Sequence, residues 1–151
     1  MTILRKLNDS PLLTFYTIDD TEPLELPLFD SGVSAGFPSP ADDFIEIKLD
    51  LNKYLIQHPS ATFYGRVNGE SMIDDGIHDG DILIIDRAME PRNGDIVVSV
   101  LDGEFTVKRL MIDKESMFLQ PANKKYPVVE VSERENFQIW GVVVSIVKKL
   151  R

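Results

Sequence analysis

From residue 44 onward, the pattern of apolar and polar residues becomes strongly strand-like. In FIEIKL (44–49), Ile45, Ile47 and Leu49 alternate with Glu46 and Lys48. A period of two residues predicts strands that bury one face. Further strands are predicted from their residue patterns at 61–69, 81–86, 95–101, 104–112, 117–121, 128–131 and 137–150.

The pattern predicts little helix. Residues 50–59 predict one short helix, which Asp50 begins and which stops before Pro59. Asp102-Gly103 is typical of a hairpin turn between two strands, and Gly141 indicates a bulge or bend inside the last strand. We therefore expect a mainly β fold, a compact sandwich or partly open barrel with little helix.

The first 40 residues follow no such pattern. Residues 1–30 show no sustained period and carry two basic and six acidic side chains, a net charge of −4. They predict an extended arm that holds at most a short strand or a little helix and has no core of its own. Residues 31–40 contain seven Ser, Gly or Pro residues, which predicts an extended loop.

Composition narrows the possible functions. A chain of 151 residues suffices for one domain with a core, and the absence of cysteine excludes disulfides and thiolate nucleophiles. The net charge of −9 disfavours direct binding to nucleic-acid phosphates. No apolar run approaches the roughly 20 residues that span a bilayer. We expect a cytoplasmic protein without a membrane segment, metal or cofactor.

Ser71, in the motif GESM (69–72), is a candidate nucleophile. Gly69 permits a tight backbone before it, and the backbone N–H groups of Ser71 and Met72 in the following turn can face a developing oxyanion. The motif lacks the two flanking glycines of an α/β-hydrolase elbow. The alternative, which the motif by itself favours, is that Ser71 only caps a short helical turn.

A serine nucleophile needs a base. His58 lies at the end of the predicted helix, just before Pro59, and His78 lies in an acidic turn, but no sequence feature orients either of them toward Ser71. Lys108 lies in a predicted strand, where it shares a face with apolar Leu110 and Ile112 while Arg109 points away. Burial lowers the pKa of a lysine toward a value at which it can act as a base. The alternative is a charged residue that protects a strand edge.

Residues 34–37 (SAGF) form a candidate cleavage site. Ala35 suits a shallow specificity pocket, and Gly36 lets another backbone approach closely. An extended segment of this kind can dock against a strand edge. Composition alone favours an ordinary flexible linker.

Five stretches, in order along residues 35–151, resemble the UmuD proteins and more distantly the LexA repressors of the bacterial DNA-damage response. They are AGFPSPADD, DLNKYLIQHPSATFY, NGESMIDDGIHDGDILIIDR, GDIVVSVLDGEFTVKRL and GVVVSIVKKLR. Only 35 residues precede Gly36, and they are acidic and without helical periods. This favours the UmuD type over a repressor with a helix-turn-helix domain.

The resemblance implies a LexA-like peptidase domain that cleaves its own Ala35–Gly36 bond, with Ser71 as nucleophile and neutral Lys108 as base. Residues 1–35 would be the removed arm and residues 36–151 the peptidase domain. It further implies a homodimer, stimulation by the RecA filament on single-stranded DNA, and a trimmed form that assists a UmuC-type error-prone polymerase in translesion synthesis.

Three other functions remain open on sequence grounds. A general protease of the signal-peptidase type would share Ser/Lys chemistry but needs a membrane anchor. A β-rich binding module would make Ser71 and Lys108 structural. A DNA-binding repressor would have to overcome the net charge of −9.

Overall fold

A computed structural model describes residues 5–9, 13–17, 23, 25–29, 46–70, 72–121, 125, 127–132, 134 and 136–151. Within these residues the chain forms one α-helix, α1 (Leu51–Leu55), two short 3₁₀ turns (Pro59–Ala61 and Ile73–Asp75) and eleven strands. The strands are β1 (Arg5–Asp9), β2 (Leu13–Thr17), β3 (Glu25–Phe29), β4 (Glu46–Asp50), β5 (Thr62–Val67), β6 (Ile82–Asp86), β7 (Ile96–Leu101), β8 (Glu104–Asp113), β9 (Ser116–Gln120), β10 (Val129–Glu130) and β11 (Phe137–Val147).

Nine of these strands form one antiparallel sheet in the order β1-β2-β5-β6-β11-β7-β8-β9-β10, and β3 pairs with β4 in a separate ribbon. The prediction of a mainly β fold with little helix is confirmed. From residue 61 onward each predicted strand is present, with ends that differ by no more than three residues. No helix in the described ranges is long and apolar enough to cross a membrane.

The sheet buries apolar side chains on both faces. One cluster contains Phe15, Met72, Ile85 and Val107, and the other contains Leu110. Val97 and Val98 are both completely buried although they are adjacent, because alternate residues of a strand point to opposite faces. Strands in the middle of the sheet are therefore enclosed from both sides.

Turn and bulge positions agree with the sequence, whereas the helix is shorter than predicted. Asp102 and Gly103 have positive φ angles of 52° and 81°, as a two-residue hairpin requires. Pairing of β11 shifts register between Ile139 and Gly141. The predicted helix over 50–59 ends at Leu55, although Asp50 caps it as expected by accepting a bond from the Asn52 N–H at 3.0 Å.

The segment predicted as an arm supplies three of the strands. β2 lies beside β5, and its Leu13 and Phe15 are buried in the main core. Phe15 stands opposite Gly65, whose missing side chain leaves room because a Cβ there would come within 2.9 Å of Ile85 and 3.6 Å of Leu13. Leu13 and Phe15 of the predicted arm thus share the core of the main sheet.

The segment after β11 is tied to the loop before β6. The Lys148 ammonium donates to the carboxylate of buried Asp81 at 2.5 Å, and the His78 backbone N–H donates to the same oxygen at 2.8 Å. Burial opposes ionisation of Asp81, but these two hydrogen bonds and the nearby positive charge outweigh it. The pKa of Asp81 therefore lies below its ordinary value.

Replacing Phe15 tests whether β2 contributes to the core. Phe15 is only 2% exposed, so Phe15→Ala should lower the free energy of unfolding by about 3 kcal/mol. Urea unfolding of the full chain measures this. Tyr54→Ala is the matched control, because Tyr54 is 68% exposed and its loss should cost little. Equal stability of the Phe15 variant and the parent would contradict the placement of β2.

Asp81→Asn tests the Lys148 contact. A carboxylate with a lowered pKa adds stability above the ordinary pKa of 3.8, and this is lost as pH falls through the folded value. The variant should be less stable by roughly 1–3 kcal/mol at neutral pH, and the difference should shrink as pH falls below 3.8. Asp74→Asn, at an exposed position of the same loop, is the matched control and should leave the stability at neutral pH unchanged.

Candidate active site

Lys108 lies near the middle of β8, half-buried and directly opposite fully buried Val97 on β7. It faces a cavity of about 200 Å³ whose wall is mostly apolar, with Leu101, Phe105, Leu119 and Val129, and also contains Glu104 and Thr106. Leu110, the next residue on the same face, is completely buried. The predicted apolar surroundings of Lys108 are confirmed.

The apolar surroundings of Lys108 make the charged form of its side chain less favourable. Water is replaced by aliphatic groups around part of the ammonium, which penalises the charged form. Burial consequently lowers the pKa of Lys108 from its ordinary value of 10.5. A lysine of this kind is neutral in a larger fraction of molecules at a given pH and is better suited to accept a proton.

The loop between β5 and β6 carries the GESM motif and is held at several points. Gly69 has a φ of 116°, which glycine adopts readily, and its N–H donates to the Asp79 carboxylate at 2.9 Å. Met72 and Ile77 are buried in the core, and Ile73–Asp75 form a short 3₁₀ turn between them. The carbonyl of Met72 accepts from the N–H groups of Asp75 and Ile77, both at 3.1 Å. The backbone around the motif is thus closely constrained.

An ion pair joins this loop to the strand that carries Lys108. The Arg109 guanidinium contacts the Asp75 carboxylate through Nη2 at 2.8 Å and through Nε at 3.2 Å. Its Nη1 donates to the carbonyl of Gly94 at 2.5 Å. Both partners are partly shielded from water, at 33% and 23% exposure. The pair fixes the turn after residue 71 against the residue next to Lys108.

Sequence reasoning missed the Asp75–Arg109 pair. The two residues are 34 positions apart, and an Asp in an acidic turn and an Arg in a strand have many possible partners. The strand pattern did indicate that Arg109 lies on the face opposite Lys108. That prediction agrees with the structure, because neighbouring Phe105 and Val107 belong to one core cluster and Leu110 and Ile112 to the other.

Not every predicted site residue can be placed. Lys108 and Met72 lie within the described residues, whereas Ser71, Ala35 and Gly36 lie outside them. Met72 and Val107, the neighbours in sequence of Ser71 and Lys108, belong to the same core cluster. The roles assigned to Ser71, to the two backbone N–H groups and to the Ala35–Gly36 bond stay predictions.

The two histidines have structural partners. His58 is 46% exposed, and its Nδ1 lies 2.6 Å from the carboxylate of buried Asp86. His78 is exposed, and its Nδ1 lies 3.0 Å from the Lys148 ammonium. Both remain near the surface, as expected, but each takes part in a charged network. In the part of the chain that the structure describes, no group of three or more His, Asp or Glu residues is arranged to hold a metal ion.

Sequence similarity to known proteins identifies the family of this chain. Residues 27–144 match the family model described as Peptidase S24-like. Protein SamA of Salmonella typhimurium is 46% identical over 134 residues, which cover 87% of this chain and 93% of that protein. Protein ImpA of the same species is 46% identical over 125 residues, or 83% and 85% of the two chains. The LexA repressor of Delftia acidovorans is 41% identical over 126 residues, 83% of this chain and 55% of the repressor. As its resemblance to the UmuD proteins predicted, the chain belongs to the peptidase S24-like family.

Proposed function

We propose that this protein is a serine peptidase that cleaves its own Ala35–Gly36 bond, with Ser71 as nucleophile and Lys108 as base. The observation that carries the proposal is the half-buried Lys108 in an apolar wall, with a pKa lowered by burial. Membership of a peptidase family and the constrained GESM loop support it.

The chemistry proceeds in two steps. The neutral amine of Lys108 accepts the proton of the Ser71 hydroxyl while Oγ attacks the carbonyl carbon of Ala35. The backbone N–H groups of Ser71 and Met72 stabilise the resulting oxyanion. Lys108 then returns the proton to the leaving amine of Gly36, and water hydrolyses the ester on Ser71 with Lys108 again as base.

Attachment of the scissile segment to the same chain makes the reaction first-order. A tethered substrate reaches a high effective concentration, so the docked fraction of the cleavage loop sets the rate. A partner that favours the docked state accelerates the cut without adding a catalytic group. We propose the RecA filament on single-stranded DNA as this partner, on the basis of the resemblance to UmuD and LexA.

The same resemblance supports a role in mutagenesis associated with the SOS response to DNA damage. In this proposal the trimmed protein acts as a homodimer and assists a UmuC-type polymerase in error-prone translesion synthesis. The net charge of −9 supports contact with DNA through another protein rather than directly.

The pH dependence of cleavage tests the Ser71–Lys108 pair. Since only neutral Lys108 accepts the proton, the rate should rise about tenfold per pH unit below its pKa and level off above it. Mass spectrometry of the purified protein from neutral to alkaline pH should reveal a fragment beginning at Gly36. Ser71→Ala and Lys108→Ala should yield none of it.

Two results would contradict this proposal. One is the absence of any cut even at high pH, and the other is equal cutting of the Ser71→Ala protein. Either would favour a non-enzymatic binding module. Lys149→Ala is the matched control, because Lys149 is exposed after the last strand and should cleave like the parent.

Double substitution tests whether the Asp75–Arg109 pair positions the loop. Arg109→Gln or Asp75→Asn should each slow self-cleavage roughly 10- to 100-fold, because small displacements of reacting groups have large effects. If the pair acts as a unit, the double variant should be no slower than either single variant. Additive slowing, or an equal effect of Arg92→Gln at an exposed position, would contradict a positioning role.

A further inference from the structure

We propose that residues 1–35 stay bound to residues 36–151 after the peptide bond between them is cut, because β2 remains inserted beside β5. The cut itself rests on the function proposed above, whereas the retention rests on the contacts of β2. Cleavage would then produce a two-piece complex, and loss of the N-terminal piece would be a separate step whose extent depends on the protein concentration.

Backbone pairing is the first of these contacts. All five residues of β2 pair with β5 in continuous register, from Leu13 opposite Val67 to Thr17 opposite Phe63. β5 is flanked by β2 on one side and β6 on the other. Removal of β2 would leave one edge of β5 with unpaired N–H and C=O groups, which is unfavourable and invites another extended segment.

Side-chain burial is the second contact. Leu13 is 0% and Phe15 2% exposed. The Phe15 ring lies 4.7 Å from Phe105 and 4.8 Å from Trp140, centroid to centroid, and Phe63 adds a further ring 5.3 Å from Trp140. Without Phe15, this aromatic cluster would face water. The domain formed by residues 36–151 therefore has an incomplete core unless β2 fills it.

Contacts at the rim add specificity. The Asn68 amide donates to the Thr14 hydroxyl at 3.3 Å, and the Arg66 guanidinium lies 5.7 Å from the centre of the Tyr16 ring. β2 thus has matched partners on both of its faces. The surface beside β5 fits an extended segment with large apolar residues two positions apart, and Leu13 and Phe15 of this chain are such residues.

Charge opposes this association. Residues 1–35 carry a net charge of −4, and residues 36–151, with 14 basic and 19 acidic side chains, carry −5. Two acidic pieces repel each other at low ionic strength, whereas burial of apolar groups persists when salt screens the charges. Retention should therefore strengthen as salt increases, which distinguishes it from association through ion pairs.

A cut made from outside tests retention without relying on self-cleavage. In the Ser71→Ala full chain, the recognition sequence of a site-specific protease is inserted within residues 31–40 and cut to completion. Gel filtration over a series of dilutions then shows whether the two pieces co-elute. Trp140, the single tryptophan, reports occupancy through its fluorescence because Phe15 packs against it.

We expect the pieces of the parent to co-elute at micromolar concentration with unchanged Trp140 emission. The Leu13→Ala, Phe15→Ala double variant should require at least about 100-fold higher concentration for co-elution, since each truncation costs more than a tenfold change in affinity. Its Trp140 emission should shift to longer wavelength. Pro23→Ala, at an exposed position between β2 and β3, is the matched control and should behave like the parent.

Separation of the parent's pieces at micromolar concentration would overturn the proposal, as would retention that weakens with added salt. The dilution series of the parent tests retention of the N-terminal piece even if the double variant fails to fold. Failure of self-cleavage in the intact protein would leave this result unaffected, because the added protease makes the cut.

Discussion

Burial of β8 on both faces is the constraint from which the candidate site arises. A strand enclosed by apolar layers has no face at which a lysine can be fully hydrated, so the position of Lys108 in the alternation decides its environment. Val107 and Leu110 enter opposite clusters, and Lys108 lies between them beside Val97. Folding holds the Lys108 ammonium partly out of water, and this burial lowers the pKa of Lys108.

Acidic residues have a structural role that net charge does not reveal. The loop between β5 and β6 uses three of its carboxylates to hold itself in place, through Asp75 on Arg109, Asp79 on Gly69 and Asp81 on Lys148. Met72 and Ile77 supply the apolar anchors. Simple solubility accounts for part of the acidic composition, but these three carboxylates hold together the segment around the candidate nucleophile.

The structural features that depend on residues close together in the sequence were predicted correctly. Residue patterns predicted the strands from residue 61 onward, Asp102-Gly103 predicted the hairpin and Gly141 predicted the bulge, since each depends on neighbours in sequence. The helix after Asp50 was overestimated because its capping signal sets a beginning but not a length. The place of β2 and the Asp75–Arg109 pair were missed, because pairing between residues more than 30 positions apart depends on the assembled sheet. The environment of Lys108 was predicted correctly because alternate residues of a strand point to opposite faces, so the sequence shows which residues share a face with Lys108.

The position of β11 has a consequence for biosynthesis. This strand is the last of the described strands in the chain, yet it lies in the centre of the sheet between β6 and β7, and Gly141 at its bulge comes so close to Ile85 that a Cβ would lie 2.6 Å away. Strands that are made earlier cannot close their central gap until the ribosome has released residues 137–147. The nascent polypeptide consequently cannot assemble the completed core during most of its translation, and any activity that depends on that core begins only after synthesis of this region.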